Sequence, residues 1–144
     1  MKKTTVALPA ETKRLWHLID ASSANLGRVL TQISVLLMGK NKRNFSYHVD
    51  QGDYVVVINA SKIRVTGRKL KEKEYNSYSG HPGGLKTFSL QELLERDPAE
   101  VIRRGIMGML PKNHQRDKRV TRLKVFANDT HPYADKLKSA TITK

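Results

Sequence analysis

The sequence predicts a small α/β domain with a mostly parallel sheet covered on both faces. Three observations lead there. Tyr54-Val55-Val56-Val57-Ile58 is rich in β-branched residues and lacks alternation, as in a strand buried on both faces. Leu26, Val29, Leu30, Ile33, Leu36 and Leu37 recur at i, i+3, i+4, i+7, the spacing of one buried helical face. Elements then follow in the order strand, helix, strand, strand, helices, strand, with short connections and no internal repeat. A chain of 144 residues is long enough to bury its core in one domain.

Residues 1–14 are polar, contain Pro9 and show no period, which predicts an extended arm before a core over residues 15–132. Trp16-His17-Leu18-Ile19 reads as a short strand, and Asp20-Ala21-Ser22-Ser23 supplies turn and N-cap chemistry for the helix that follows. That helix ends at Gly39, a C-cap. After the Tyr54–Ile58 strand, Asn59-Ala60-Ser61 caps a short turn. Tyr75–Ser79 is a polar edge strand, and Gly80-His81-Pro82-Gly83-Gly84 is irregular. Two capping boxes open helices, Ser89 with Glu92 and Asp97 with Glu100, the second with Pro98 at its first position. In the longer helix Val101, Ile102, Ile106, Met109 and Leu110 form the buried face, Gly105 and Gly108 admit a close neighbour, and Pro111 ends the run. Leu123 and Val125 begin a final strand. Residues 133–144 read as a tail without a clear element.

Charge carries the functional signal. Twenty-seven Lys and Arg against 13 Asp and Glu leave +14, which favours a polyanionic partner. The excess is uneven: residues 101–144 hold 11 cations and 3 acids, so 11 − 3 = +8 lies in the last third. Three basic stretches, 40–43, 64–73 and 112–124, fall in connections and are candidates for one surface. No long basic amphipathic helix with exposed aromatics points to a membrane surface, so nucleic acid is the better partner. The apolar run Val6-Ala7-Leu8 is cut short by Pro9 and Glu11, and no run is long enough to span a bilayer. A soluble, non-exported protein is the expectation.

Other chemistries find little support. Without cysteine there is no disulfide, thiol nucleophile or thiolate zinc site. No serine sits in a nucleophile elbow, and no P-loop or dinucleotide fingerprint occurs, which disfavours a nucleotide- or phosphoester-processing enzyme. His48, Asp50 and Asp53 are close enough in sequence to suggest a metal, although turn-forming and hydrogen-bonding roles are commoner for such residues. Gly105-Ile106-Met107-Gly108 has the G-x-x-G spacing of a KH loop, but its apolar middle lies in phase with the helical face, favouring packing. Separated cationic loops suit RNA phosphate, whose neutralisation releases counterions. Asn113, the histidines and Tyr133 are available for hydrogen bonds or stacking.

Several stretches together resemble one family, the universal L-thirteen family of large-subunit ribosomal proteins. They are Leu26-Gly27-Arg28, Gly39-Lys40-Asn41-Lys42, His48 through Ala60, Val65-Thr66-Gly67, Ser79 through Lys86, Gly108 through Lys112, Leu123-Lys124-Val125-Phe126 and His131-Pro132. The similarity runs from about Thr12 to Ala134. The resemblance implies a three-layer α/β/α fold with a four-stranded parallel sheet. It implies binding to large-subunit rRNA beside neighbouring ribosomal proteins, a role early in subunit assembly, and a place in the cytoplasmic ribosome. It implies no catalysis, cofactor, metal or membrane, and no homo-oligomer. The candidate RNA-binding set is Lys40, Lys42 and Arg43; Arg68, Lys69 and Lys71; Lys112, Asn113, Arg116, Lys118, Arg119 and Arg122; and His131. The chain departs from the family where members usually carry Leu-Gly-Arg after Leu-Pro-Lys. The aligned residues here are Gln115-Arg116-Asp117, which leaves Arg116 as the candidate to supply the displaced charge. Asn128 stands where glycine is usual, and Tyr133 where histidine is common.

Overall fold

A computed structural model describes residues 13–137. Strand β1 (Trp16–Asp20) is followed by helix α1 (Leu26–Met38) and strand β2 (Tyr54–Ile58), and β2 lies parallel to β1 with Trp16 opposite Tyr54. Strand β5 (Leu123–Val125) pairs parallel on the other side of β2, giving the order β1-β2-β5. The non-alternating β2 is therefore central, with Val55, Val56 and Val57 fully buried, as its composition predicts.

The parallel sheet has three strands, not the four that the resemblance implies. The remaining parallel pairing among the described residues is a single bridge between Asn25 and Arg64, too short to make a strand. Strands β3 (Glu74–Tyr78) and β4 (Leu85–Ser89) instead form a separate antiparallel hairpin. Of these, β3 matches the polar edge strand expected near residue 75, while β4 was not foreseen. Gly80–Gly84 is the irregular turn between them, closed by the Ser79 N–H donating to Gly84 O and the Gly84 N–H to His81 O.

Helix α3 (Leu90–Arg96) starts at the expected capping box, with Glu92 N–H donating to Ser89 Oγ and Ser89 N–H to Glu92 Oε2. Helix α4 (Pro98–Met109) is capped by Asp97, which accepts from the N–H groups of Ala99 and Glu100. Glu100 turns to Arg103 and Arg104 rather than closing a second box. Gly105 abuts Leu30 of α1 so closely that a Cβ there would overlap the leucine side chain. The G-x-x-G spacing thus belongs to helix packing. Met109 is exposed and no neighbour crowds Gly108, so the buried face is narrower than expected. Leu110 leaves the helix in an extended conformation ahead of Pro111.

One face of the sheet packs with α1, α3 and α4 around Ile19, Val55, Val57, Ile33, Leu37, Ile102 and Ile106. The other is covered by the C-terminal segment, where the Tyr133 ring stacks on Trp16, itself stacked on Tyr54. Helix α6 (Ala134–Leu137) follows, with Lys136 over Trp16, so part of the expected structureless tail is an ordered cover. The expected arm lies outside the described residues up to residue 12, as does the tail beyond residue 137.

The two ends of α1 differ. Its start is not capped by the Asp20–Ser23 turn, since Asp20 accepts from Ser22 and Asn25 is the boundary residue, without a side-chain cap. Its end is the predicted glycine cap: Gly39 is left-handed (φ 75°), and the N–H groups of Gly39 and Lys40 donate to Leu36 O and Val35 O. Residues 51–53 then run against this helix end, with Asp53 N–H donating to Leu36 O. A Cβ on Gly52 would collide with Leu37 O, and backbone cannot swing aside like a side chain. Gly52→Ala is expected to lower stability by about 1–3 kcal/mol, the cost of overpacking, measurable by urea unfolding. A variant as stable as the parent would refute the close approach.

Candidate nucleic-acid interface

The end of the domain where α1 finishes and the parallel strands begin is organised by two carboxylates, half-buried Asp50 and buried Asp53. Asp50 receives both terminal nitrogens of Arg122, Nη1 to Oδ2 at 2.6 Å and Nη2 to Oδ1 at 2.7 Å. Arg119 Nε approaches Asp50 at 3.4 Å and Arg14 at 3.7 Å. Asp53 binds Lys42 Nζ, His17 Nε2 at 3.1 Å and the Leu15 N–H at 3.0 Å. Lys42 also donates to Gln51 O and Lys13 O. Four permanent cations, Arg14, Lys42, Arg119 and Arg122, thus face two carboxylates, leaving this inner cluster at 4 − 2 = +2.

The stretch 112–124 is not the connection its charge suggests. Residues Gln115–Thr121 form helix α5, because Lys, Arg and Gln are good helix formers once one face finds partners. Gln115, Arg119 and Arg122 recur at i, i+4, i+7 and turn inward: Gln115 donates to His48 O and accepts from Arg119, and both arginines meet Asp50. Arg119 and Arg122 are only 2% and 5% exposed. Lys118 faces out and lines a basic hollow of about 400 Å³ with Arg14, Arg122 and Lys124. Lys112, Asn113, His114 and Arg116 line a second, of about 620 Å³, at the start of the helix.

Burial works against ionisation of Asp50, but the Arg122 hydrogen bonds outweigh it and hold the carboxyl below its ordinary 3.8. Asp53 is likewise lowered against the cost of burial by His17, Lys42 and the Leu15 N–H. The unfolded chain therefore takes up these protons first as pH falls. Their stabilisation is complete well above the ordinary value of 3.8 and is lost progressively as pH falls through it and then through the lower folded values. Thermal midpoints followed downward from pH 5 are expected to fall more steeply for the parent than for Asp53→Asn. Equal acid slopes would refute the coupling.

The Lys40–Arg43 and Arg68–Lys71 stretches do not share one surface. Lys40 and Arg43 are exposed just beyond the C-terminal end of α1, beside the Asp50–Asp53 segment and α5, whereas Lys42 is held inward. Arg68, Lys69 and Lys71 are exposed at the opposite end, because Arg64 bridges to Asn25 at the start of α1. Lys69 and Lys71 lie in a one-turn helix, α2 (Lys69–Glu72), rather than a loop. The 13 residues of α1 separate the two patches by about 20 Å. His131 is half-buried, its Nδ1 accepting from Tyr133 N–H and its ring against Phe126.

Two things were missed in the sequence: the exposed Tyr47, and the part that Asp50 and Asp53 play in sorting the cations. Their proximity to His48 had suggested a metal, but both carboxylates are occupied by cations. Among the described residues no group of three or more His, Cys, Asp or Glu could hold one. No helix there is long and apolar enough to cross a membrane.

The model of the family described as ribosomal protein L13 matches residues 14–132, which takes in both carboxylates, α5 and both exposed basic patches. The chain belongs to the ribosomal protein L13 family. Among curated members, the large ribosomal subunit protein uL13 of Thermotoga petrophila is 47% identical over 133 residues, 92% of this chain and 89% of that protein. Those of Clostridioides difficile and Pelobacter propionicus are 46% and 49% identical, covering 92% and 91% of this chain and 92% of each relative. Within this L13 chain the segment Gln115-Arg116-Asp117, where a departure from the family's pattern is expected, has a defined structural part. Gln115 anchors α5 to His48 O, while Asp117 is exposed and pairs loosely with Arg116 at 3.6 Å. Tyr133 is spent on Trp16, on the face away from the core.

Proposed function

We propose that this chain is a structural constituent of the large ribosomal subunit, which binds rRNA and takes its place early in subunit assembly in the cytoplasm. One observation carries the RNA reading: the carboxylate pair that anchors the inner cations leaves Lys40, Arg43 and Lys118 exposed around it, while Lys112 is exposed ahead of α5 and Arg116 half-buried at its start. These, with Asn113, are the principal phosphate contacts. Arg68, Lys69 and Lys71 form a second footprint at the far end of α1, so the domain bridges two RNA segments rather than resting on one. Lys42, Arg119 and Arg122 act by positioning the exposed cations, and His131 contributes at the edge of the C-terminal cover.

The relatives' names favour a binding role over turnover, and the chain acts there without cofactor or self-association. Neighbouring large-subunit proteins are the remaining partners. The test is sedimentation of a tagged chain from growing cells. It is expected in large-subunit fractions and in their precursors, and a chain found only free of the particle would overturn the assignment. RNA affinity is expected to fall by orders of magnitude from low to moderate salt, as several phosphate contacts require.

A further inference from the structure

Tyr47 is 80% exposed, the most open large apolar side chain described, and it sits between the Lys40–Arg43 loop and the carboxylate segment. Its backbone neighbourhood is tied down on both sides. Upstream, Phe45 N–H donates to Lys42 O, and Lys42 is fixed on Asp53. Downstream, His48 O accepts from Gln115 of α5, and Asp50 holds Arg122. The Tyr47 ring meets Phe45 in an edge contact, centroids 5.1 Å apart at 72°, which orients it and covers at most one of its faces. Exposed Arg43 precedes it in the same loop, and Arg116 adjoins the Gln115 anchor that crosses to His48.

An open aromatic face on an anchored loop that also carries the exposed cation Arg43 has the chemistry that receives an unstacked base: phosphate is held by the charge while the ring takes the π-face. We infer that Tyr47 is a stacking platform for one unpaired base of the bound RNA. This makes the RNA interface proposed above partly selective for single-stranded nucleotides. A duplex offers phosphates but keeps its bases stacked, so it engages the cations without the ring.

Fluorescence anisotropy with the full chain tests this, using two probes: a short oligoadenylate single strand and a fully paired RNA duplex of the same length. Tyr47→Ala is expected to weaken single-strand binding by roughly five- to a hundredfold and leave duplex binding unchanged, while Tyr47→Trp keeps both. An unchanged melting midpoint for Tyr47→Ala confirms that the loop persists. Equal losses on both probes, or no loss on either, would overturn the stacking role while leaving the RNA-binding reading intact. If the parent binds neither probe, the phosphate interface fails, and the stacking inference, which rests on it, fails too.

Discussion

Asp50→Asn destabilises the folded chain by about 3–5 kcal/mol, because it leaves the buried Arg119 and Arg122 guanidinium groups without their counter-charge. The magnitude follows from geometry. Arg122 is held in a two-pronged contact at 2.6 and 2.7 Å, and its Nη2 also reaches Leu37 O at 3.4 Å, so it cannot swing to solvent without breaking the join between α5 and the end of α1. Asparagine keeps the shape but loses the charge and one acceptor. Asp117→Asn is the matched control: its carboxylate is exposed, and the change is expected to fall within about 0.5 kcal/mol. Chemical denaturation of both variants decides the matter. If Asp50→Asn proves no more costly than Asp117→Asn, the carboxylate does not organise this end of the domain.

The joint replacement of Lys112, Arg116 and Lys118 by glutamine acts on binding rather than folding. Lys112 and Lys118 are exposed and Arg116 is half-buried, and none takes part in the Asp50 or Asp53 cluster. If each neutralises one phosphate, the salt slope of RNA binding is expected to fall by about 1 per residue. Affinity near 0.1 M salt then drops by about two to three orders of magnitude, since each contact contributes roughly 0.7–0.9 log units per decade of salt. Filter binding over a salt series measures both quantities. An unchanged slope would show that these charges only solvate the surface.

How much of this was legible in the sequence depended on how local each signal is. The apolar period of α1, the left-handed glycine after it, the Ser89 box and the unbroken β-branched run of β2 act within a few residues, and all appear where expected. Strand β4 escaped notice because Leu85, Lys86 and Thr87 are exposed and show no buried alternation, although a glycine-containing loop between two short segments is a hairpin signal. Helix α5 was hidden by its own charge: its inward face is Gln115 and Arg119, continued by Arg122 just past its end, a helical period written in polar residues. Read for that period as well as for apolar residues, the sequence would have shown the helix, though not its partner.

The sequence by itself determined the α/β class, the central strand, the main helix caps and the strongly basic character. Caps, glycines and periodicity work through neighbours along the backbone, and net charge requires no geometry. Only the tertiary structure decided that the parallel sheet stops at three strands, that the Lys40–Arg43 and Arg68–Lys71 patches lie at opposite ends of α1, and which cations are not held by carboxylates. Asp50 finds Arg119 and Arg122 across 69 and 72 positions of sequence. Whether a given arginine is buried against a carboxylate or left for a phosphate is therefore settled by packing between distant segments, which a count of charges cannot reveal.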